Sequence, residues 1–263
     1  MMMVTGAHAN VCNRSPVVAK WLEKSLGYSC AVIGDKDLAK ITDLNWSHFT
    51  NQLAPGDLDG FVNLQTLDLS SNYGLVLPPK IFKDLANLKI LKLDSNNFET
   101  LPPDVFAGLW FLDLLDLSHN NFQTIEPWYF HHLGHLRRLS LENNPILTLP
   151  PGAFEELTQL ESLYFFNSQL DHLSREMLGG LLLLKELRLE TFKRDFVIDA
   201  DTFDLVPNLR SLSLTGYFAG PLSAALKRIV HLEKLDVALS DLSHIDRQFL
   251  AGLTELRDRK SVV

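Results

Sequence analysis

Three acidic or histidine-rich clusters carry the residue types that could hold a metal. His131-His132-Leu133-Gly134-His135 sets two imidazoles at i and i+4, the spacing at which one helix face can hold zinc. A zinc site also needs a third and fourth ligand in a shaped pocket, and none is suggested nearby. Leu133 holds a core-like position, which turns the histidines toward a back or an edge, so no metal is expected. Asp35-x-Asp37 and Asp57-x-Asp59-Gly60 begin like calcium loops but lack the closing bidentate Glu, and they read as solvated loop carboxylates. Cys30 has no histidine partner in prospect. No G-x-S-x-G, P-loop, G-x-G-x-x-G or C-x-x-C pattern occurs. With no base, nucleophile or metal ligands converging, neither an enzyme nor a cofactor is expected.

What the sequence does contain is a period. Leucines recur at Leu64, Leu88, Leu112, Leu136, Leu160, Leu184, Leu209, Leu232 and Leu256, in steps of 24 with one of 25 and one of 23. Each clear copy reads L-x-x-L-x-L-x-x-N, then Leu-Pro or its equivalent, then Phe, then a final apolar residue. Leu88, Leu91, Leu93, Asn96, Leu101, Pro102, Phe106 and Leu109 show it in full. An irregular copy starts at Ile41. In L-x-L the two leucines point to one side of a strand. One copy cannot bury that side alone, so copies must stack into a parallel sheet over a continuous core. Asn72, Asn96, Asn120 and Asn144 would then form a ladder inside the turns, its amides satisfying backbone groups of adjacent copies. Phe82, Phe106, Phe130, Phe154 and Phe203 would form a spine on the opposite wall.

This pattern resembles the leucine-rich repeat over about residues 41–256, and the 24-residue length with Leu-Pro and Phe resembles its extracellular type. The resemblance implies an α/β solenoid: a horseshoe with a concave parallel β-sheet, eight to nine repeats and a helical N-terminal cap. The cap falls in residues 10–40. Ser15-Pro16 is a helix start, with Ser15 as N-cap and Pro16 at the first position, and Gly27 a stop. Cys12 and Cys30 bracket that helix. A disulfide is favoured for so isolated a pair, with two buried thiols as the alternative. The stretch Leu38-Ala39-Lys40-Ile41-Thr42-Asp43-Leu44-Asn45-Trp46-Ser47 resembles the cap of secreted bacterial leucine-rich-repeat proteins, departing from it at Trp46. Residues 1–9, with Ala7-His8-Ala9, are read as the remnant of a signal peptide. Residues 257–263 are an incomplete last repeat or tail.

The repeat loses its regularity along the chain. The ladder position becomes Ser168, Phe192, Tyr217 and Ser240, and a change in how the turns are satisfied is expected there. Residues between the core leucines face out of the sheet. Most are small or acidic, but Tyr164 and Phe166 replace Ser140 and Glu142 of the preceding copy. With Arg188 and Glu190 they form an aromatic-plus-Arg cluster of the kind that dominates binding energy. Glu142, Asp116 and His119 complete the candidate contact set. Ile90 and Leu114 add a small apolar strip.

The charge balance, 24 Lys and Arg against 32 Asp and Glu for a net −8, lacks the basic cluster that holds a phosphate backbone. No apolar run reaches membrane-spanning length. The expectation is a non-catalytic recognition module, secreted or on the cell surface (the periplasm included), binding a protein or peptide on its concave face. The alternative is a structural or adhesion segment of a longer surface protein, self-associating through its open C-terminal edge.

Overall fold

The computed structural model describes residues 10–49, 52–191, 193–219, 222–239 and 253–257, the side chains of Phe166, Asn167, Ala219 and Leu239 excepted. The segments read as a signal-peptide remnant and as the tail's last residues lie outside the described residues.

The leucine period produces the sheet it calls for. Nine parallel strands stack in chain order: β1 (Asp43–Asn45), β2 (Thr66–Asp68), β3 (Ile90–Lys92), β4 (Leu114–Asp116), β5 (Arg138–Ser140), β6 (Ser162–Ser168), β8 (Glu186–Thr191), β10 (Ser211–Gly216) and β12 (Lys234–Leu239). Registers are in step, with Leu67 opposite Leu91, Leu91 opposite Leu115 and Leu115 opposite Leu139, so each core leucine caps the one before. These leucines are fully buried, as are Phe82, Phe106, Phe130 and Phe154 of the opposite wall; Phe82 stacks on Phe106 and Phe130 on Phe154. A second sheet of three short strands, β7 (His172–Leu173), β9 (Phe196–Ile198) and β11 (Phe218–Ala219), appears only behind the later turns. Turns pack closely enough that a Cβ on Gly108, held at φ 100°, would meet the Lys83 carbonyl oxygen at 2.4 Å.

The asparagine ladder forms over the first turns. Asn120 Oδ1 accepts from the backbone N–H of Asn96 (3.1 Å) and Phe98 (2.9 Å), while its amide donates to the carbonyls of Leu93 and Leu117, both at 3.0 Å. Just before the ladder residue of each of these turns, Ser71, Ser95, His119 and Asn143 take left-handed backbone, with φ of 57, 60, 53 and 54°. Each lies three positions past the end of its strand, where that conformation turns the chain and aims the next amide inward.

Helix α1 (Pro16–Leu26) closes the N-terminal end, with Gly27 at φ 76° as its C-cap. Cys12 and Cys30 are disulfide-bonded across it, their Cα atoms 5.1 Å apart. Trp46, fully buried, receives Trp21 of the helix edge-on at 5.5 Å and stacks on Phe49. Ser15 is the N-cap of this helix and Pro16 its first residue, as expected, but the Ser15 side chain makes no capping bond; its backbone N–H donates to Asp57 Oδ1 at 2.8 Å. Asp57 is therefore not a solvated carboxylate but fully buried, accepting also from the Ala54 N–H. Arg14 completes the clamp, donating to the Asp57 and Asp59 carbonyls and lying over the Phe61 ring. Burial holds the Arg14 pKa below its usual value, against the pull of Asp57.

At the other end the ninth copy begins in register, with the Arg257 N–H donating to the Glu233 carbonyl. Among the described residues no helix is long and apolar enough to cross a membrane.

Candidate ligand-binding face

In each short strand the middle residue is buried and its two neighbours face solvent, so the sheet's open face is built from alternate residues of every turn. The register places Tyr164 between Ser140 on one side and Arg188 on the other. Its phenol donates to Glu186 Oε2 at 3.0 Å, and the Arg188 guanidinium lies 5.0 Å over its ring. Arg188 closes the triangle, bonding Glu186 Oε1 at 2.8 Å through Nε. A half-buried aromatic, an arginine and a carboxylate thus hold one another in fixed rotamers.

Glu186 is a residue that reading the sequence missed. It stands at the third repeat position, where earlier copies carry Ile90 and Leu114, and the two-residue alternation 186, 188, 190 was its available signal. Phe165 packs inward against Phe154 at 5.7 Å, as alternation requires. The side chain of Phe166, the second aromatic of the expected cluster, lies outside the described residues. Its backbone belongs to β6, where pairing with β8 shifts register between Phe165 and Ser168.

The remaining expected residues share one electrostatic neighbourhood. Burial raises the Glu142 pKa first and the charge of Asp116 second, with Glu190 adding to both; Arg188 and His119 oppose them. Asp94 is raised in the same way, by burial and then by Asp116 and Asp68. Burial also raises the Tyr164 phenol. Partial burial disfavours the Arg188 charge, but the Glu186 hydrogen bond and charge outweigh it and hold the guanidinium protonated. His119 is exposed at its left-handed turn, its ring 3.2 Å from the Asn143 amide. Asp116 is held by the Ser118 N–H and hydroxyl, at 3.0 and 2.6 Å. Beside the triangle, Glu186, Arg188, Ser213, Lys234 and Asp236 line a hollow of about 290 Å³. Along its first five strands the face carries a carboxylate in every turn, with Lys92 paired to Asp68 and Arg138 to Asp113, and at the sixth and seventh a rigid Tyr–Arg–Glu group.

The histidine cluster lies elsewhere. Residues 131–135 form turns rather than a helix, so the i,i+4 geometry that zinc binding would use is not present. His132 packs against Trp110 and His135 against Phe111, each with ring centroids 5.4 Å apart.

The Leucine rich repeat family model matches four overlapping stretches, 62–122, 86–146, 112–170 and 134–191. Together with the stacked parallel sheet, this settles the architecture. The chain is a leucine-rich-repeat protein. The solenoid superposes on the TLR13–ssRNA13 complex with a TM-score of 0.71 at 26% identity, over 79% of this chain and 30% of that one. Against the Toll–Spatzle complex of Drosophila the TM-score is 0.73 at 23% identity, over 84% and 30%. A leucine-rich-repeat protein of Leptospira interrogans gives 0.62 at 22%, over 84% and 60%. The solenoid thus spans 30% of the length of the first two and 60% of the third. No curated protein sequence matches it.

Proposed function

We propose that this solenoid is a non-catalytic recognition module that binds a protein or peptide carrying basic side chains on the open face of its main sheet, outside the reducing cytosol. The observation that carries the reading is the Tyr164–Arg188–Glu186 triangle. It is an aromatic and an arginine already fixed in place, so little side-chain entropy is lost when a partner covers them. The acidic ground supplies the preference for positive charge: Asp94, Asp116 and Glu142 repel one another and gain when a cation comes between them. The same charges repel a phosphate backbone, which favours a protein ligand over RNA. Similar solenoids have been solved with both, one with ssRNA13 and one with Spatzle. The Cys12–Cys30 bond supports an oxidising compartment, and with it a secreted or surface protein.

The test is selection of peptides from a random display library against the wild-type protein, followed by titration of variants. Binders should be enriched in Lys and Arg, and Tyr164→Ala or Arg188→Ala should weaken them about tenfold or more. Thermal midpoints should stay within a few degrees of wild type. Peptides that bind both variants as well as wild type would sink the proposal, as would a selection that fails while a single-stranded oligonucleotide binds.

A further inference from the structure

The flank where each turn rises toward the main sheet carries a second pattern. Two residues separate the last core residue of one copy from the leading leucine of the next. Asn63, Asn87 and Asn208 occupy the second of these positions in their copies. Each donates its side-chain amide to a carbonyl of the preceding turn, at 2.8, 2.8 and 2.7 Å. In two copies both positions are large and apolar, Trp110-Phe111 and Leu182-Leu183, whereas Val62 and Val230 are exposed apolar residues at the first position alone. The four residues of the two pairs are exposed, by 52, 58, 55 and 38%. Trp110 and Phe111 each touch one histidine of the next turn, yet both keep more than half of their surface in water.

The two apolar pairs lie three turns apart, about 14 Å at the usual strand spacing. Gly134-His135 and Thr158-Gln159 stand between them. The residue after each leading leucine alternates in sign over the same four turns: Asp113, Arg137, Glu161, Lys185. Neighbours already pair along the chain, Lys185 with Glu161 at 2.9 Å and Arg137 with Asp113 at 3.9 Å, while Arg137 and Lys185 stay more than half exposed.

A two-fold operation gives this arrangement a use. We propose that the flank is a self-association surface, on which a second copy of this chain docks antiparallel about an axis between the Leu136 and Leu160 repeats. The operation sets Trp110 and Phe111 against Leu182 and Leu183 of the second copy, twice over. It also sets Asp113 against Lys185 of the second copy, and Arg137 against its Glu161. The outer flank pairs are then apolar with apolar and the four charged positions face their opposites, with Gly134-His135 against Thr158-Gln159 between them, the self-complementarity an isologous interface requires. Moving the axis by one turn separates the apolar pairs, so they fix the register that alternating charge alone leaves open. Four turns make an interface near the lower limit for specific association, which points to a dimer of roughly micromolar affinity. This surface leaves the ligand-binding face free.

Sedimentation equilibrium on the wild-type chain should show a monomer–dimer transition below about 100 μM. Phe111→Asn with Leu183→Asn installs the residue that other copies carry at this position. It should abolish the dimer by about tenfold or more in affinity without lowering the melting temperature of the monomer. Asp113→Lys should weaken the dimer, and adding Lys185→Asp to it should restore association. A wild-type chain that stays monomeric, a dimer that survives the asparagine exchange, or a charge reversal that the second change fails to rescue would each overturn the proposal.

Discussion

The first five turns and the later ones share one leucine frame but finish their turns differently. In β2 to β5 the strands are three residues long, a left-handed residue follows three positions on, and a buried asparagine collects the backbone groups of the tight turn. From β6 onward the strands of the main sheet run six or seven residues, and the ladder position falls to Ser168, whose hydroxyl reaches the Glu190 carbonyl at 3.4 Å. There the backbone satisfies itself by pairing, in longer main strands and in the second sheet of β7, β9 and β11. A solenoid can thus close its turns with side chains or with backbone. The second method gives a broader open face, and the Tyr164–Arg188–Glu186 triangle stands where one method gives way to the other.

The most severe way to break this comparison is to remove a rung. Asn120→Ala strands the N–H groups of Asn96 and Phe98 in the interior. At roughly 1–3 kcal/mol for each orphaned group, we expect a loss of about 3 kcal/mol in urea unfolding. Ser168→Ala deletes one long hydrogen bond and should cost about 1 kcal/mol or less. Equal losses at the two sites would mean that the turns are closed in the same way throughout.

Next in size is the disulfide, which anchors the ladder half at its outer end. Cys12 and Cys30 are 18 residues apart in sequence. A loop of that size contributes about 3 kcal/mol in the chain-entropy model. Because each turn touches only its neighbours, reduction should loosen α1 and β1 first. Amide exchange should then rise in residues 11–45 while β8 to β12 keep their protection. Uniform loss along the chain would show the two halves to be one cooperative unit.

The leucine spacing made the main sheet legible, because the same side chains that repeat in sequence are the ones that must be buried. The ladder and the Phe wall followed from the same frame, as did the inward turn of Phe165. Contacts that join distant positions were not legible. Ser15 is the N-cap that the sequence marks, but that Asp57, 42 residues later, takes its backbone N–H was not readable, and nothing in Asp57-x-Asp59-Gly60 announces that the carboxylate is buried beside Arg14. Glu186 escaped notice because its role exists only across two strands. The second sheet escaped because no periodicity encodes His172–Leu173 or Phe218–Ala219, which pair only once the turns are stacked.

The smallest effect separates two acids on the same open face. The Asp68 carboxyl pays for partial burial but accepts from Ser70 and faces Lys92, and its pKa is lowered on balance. Burial and Asp116 raise the pKa of Glu142. A raised folded pKa means that the folded chain holds the proton more tightly, so ionised Glu142 opposes folding above that pKa. The penalty fades as pH falls through it and is gone below the unfolded value of 4.5. Glu142→Gln should therefore raise the thermal midpoint at neutral pH by about one degree, with the gain vanishing in acid. Asp68→Asn should do the opposite, lowering the midpoint at neutral pH, with the loss fading as pH falls through the folded pKa of Asp68. Thermal melts across this range would decide it. If Glu142→Gln stabilises the fold yet weakens binding of the selected basic peptides, then Glu142 keeps its charge for a ligand and at the expense of the scaffold. If it stabilises the fold and binding is unchanged, the acidic ground plays no part in recognition, and the ligand contact narrows to the triangle in the later turns.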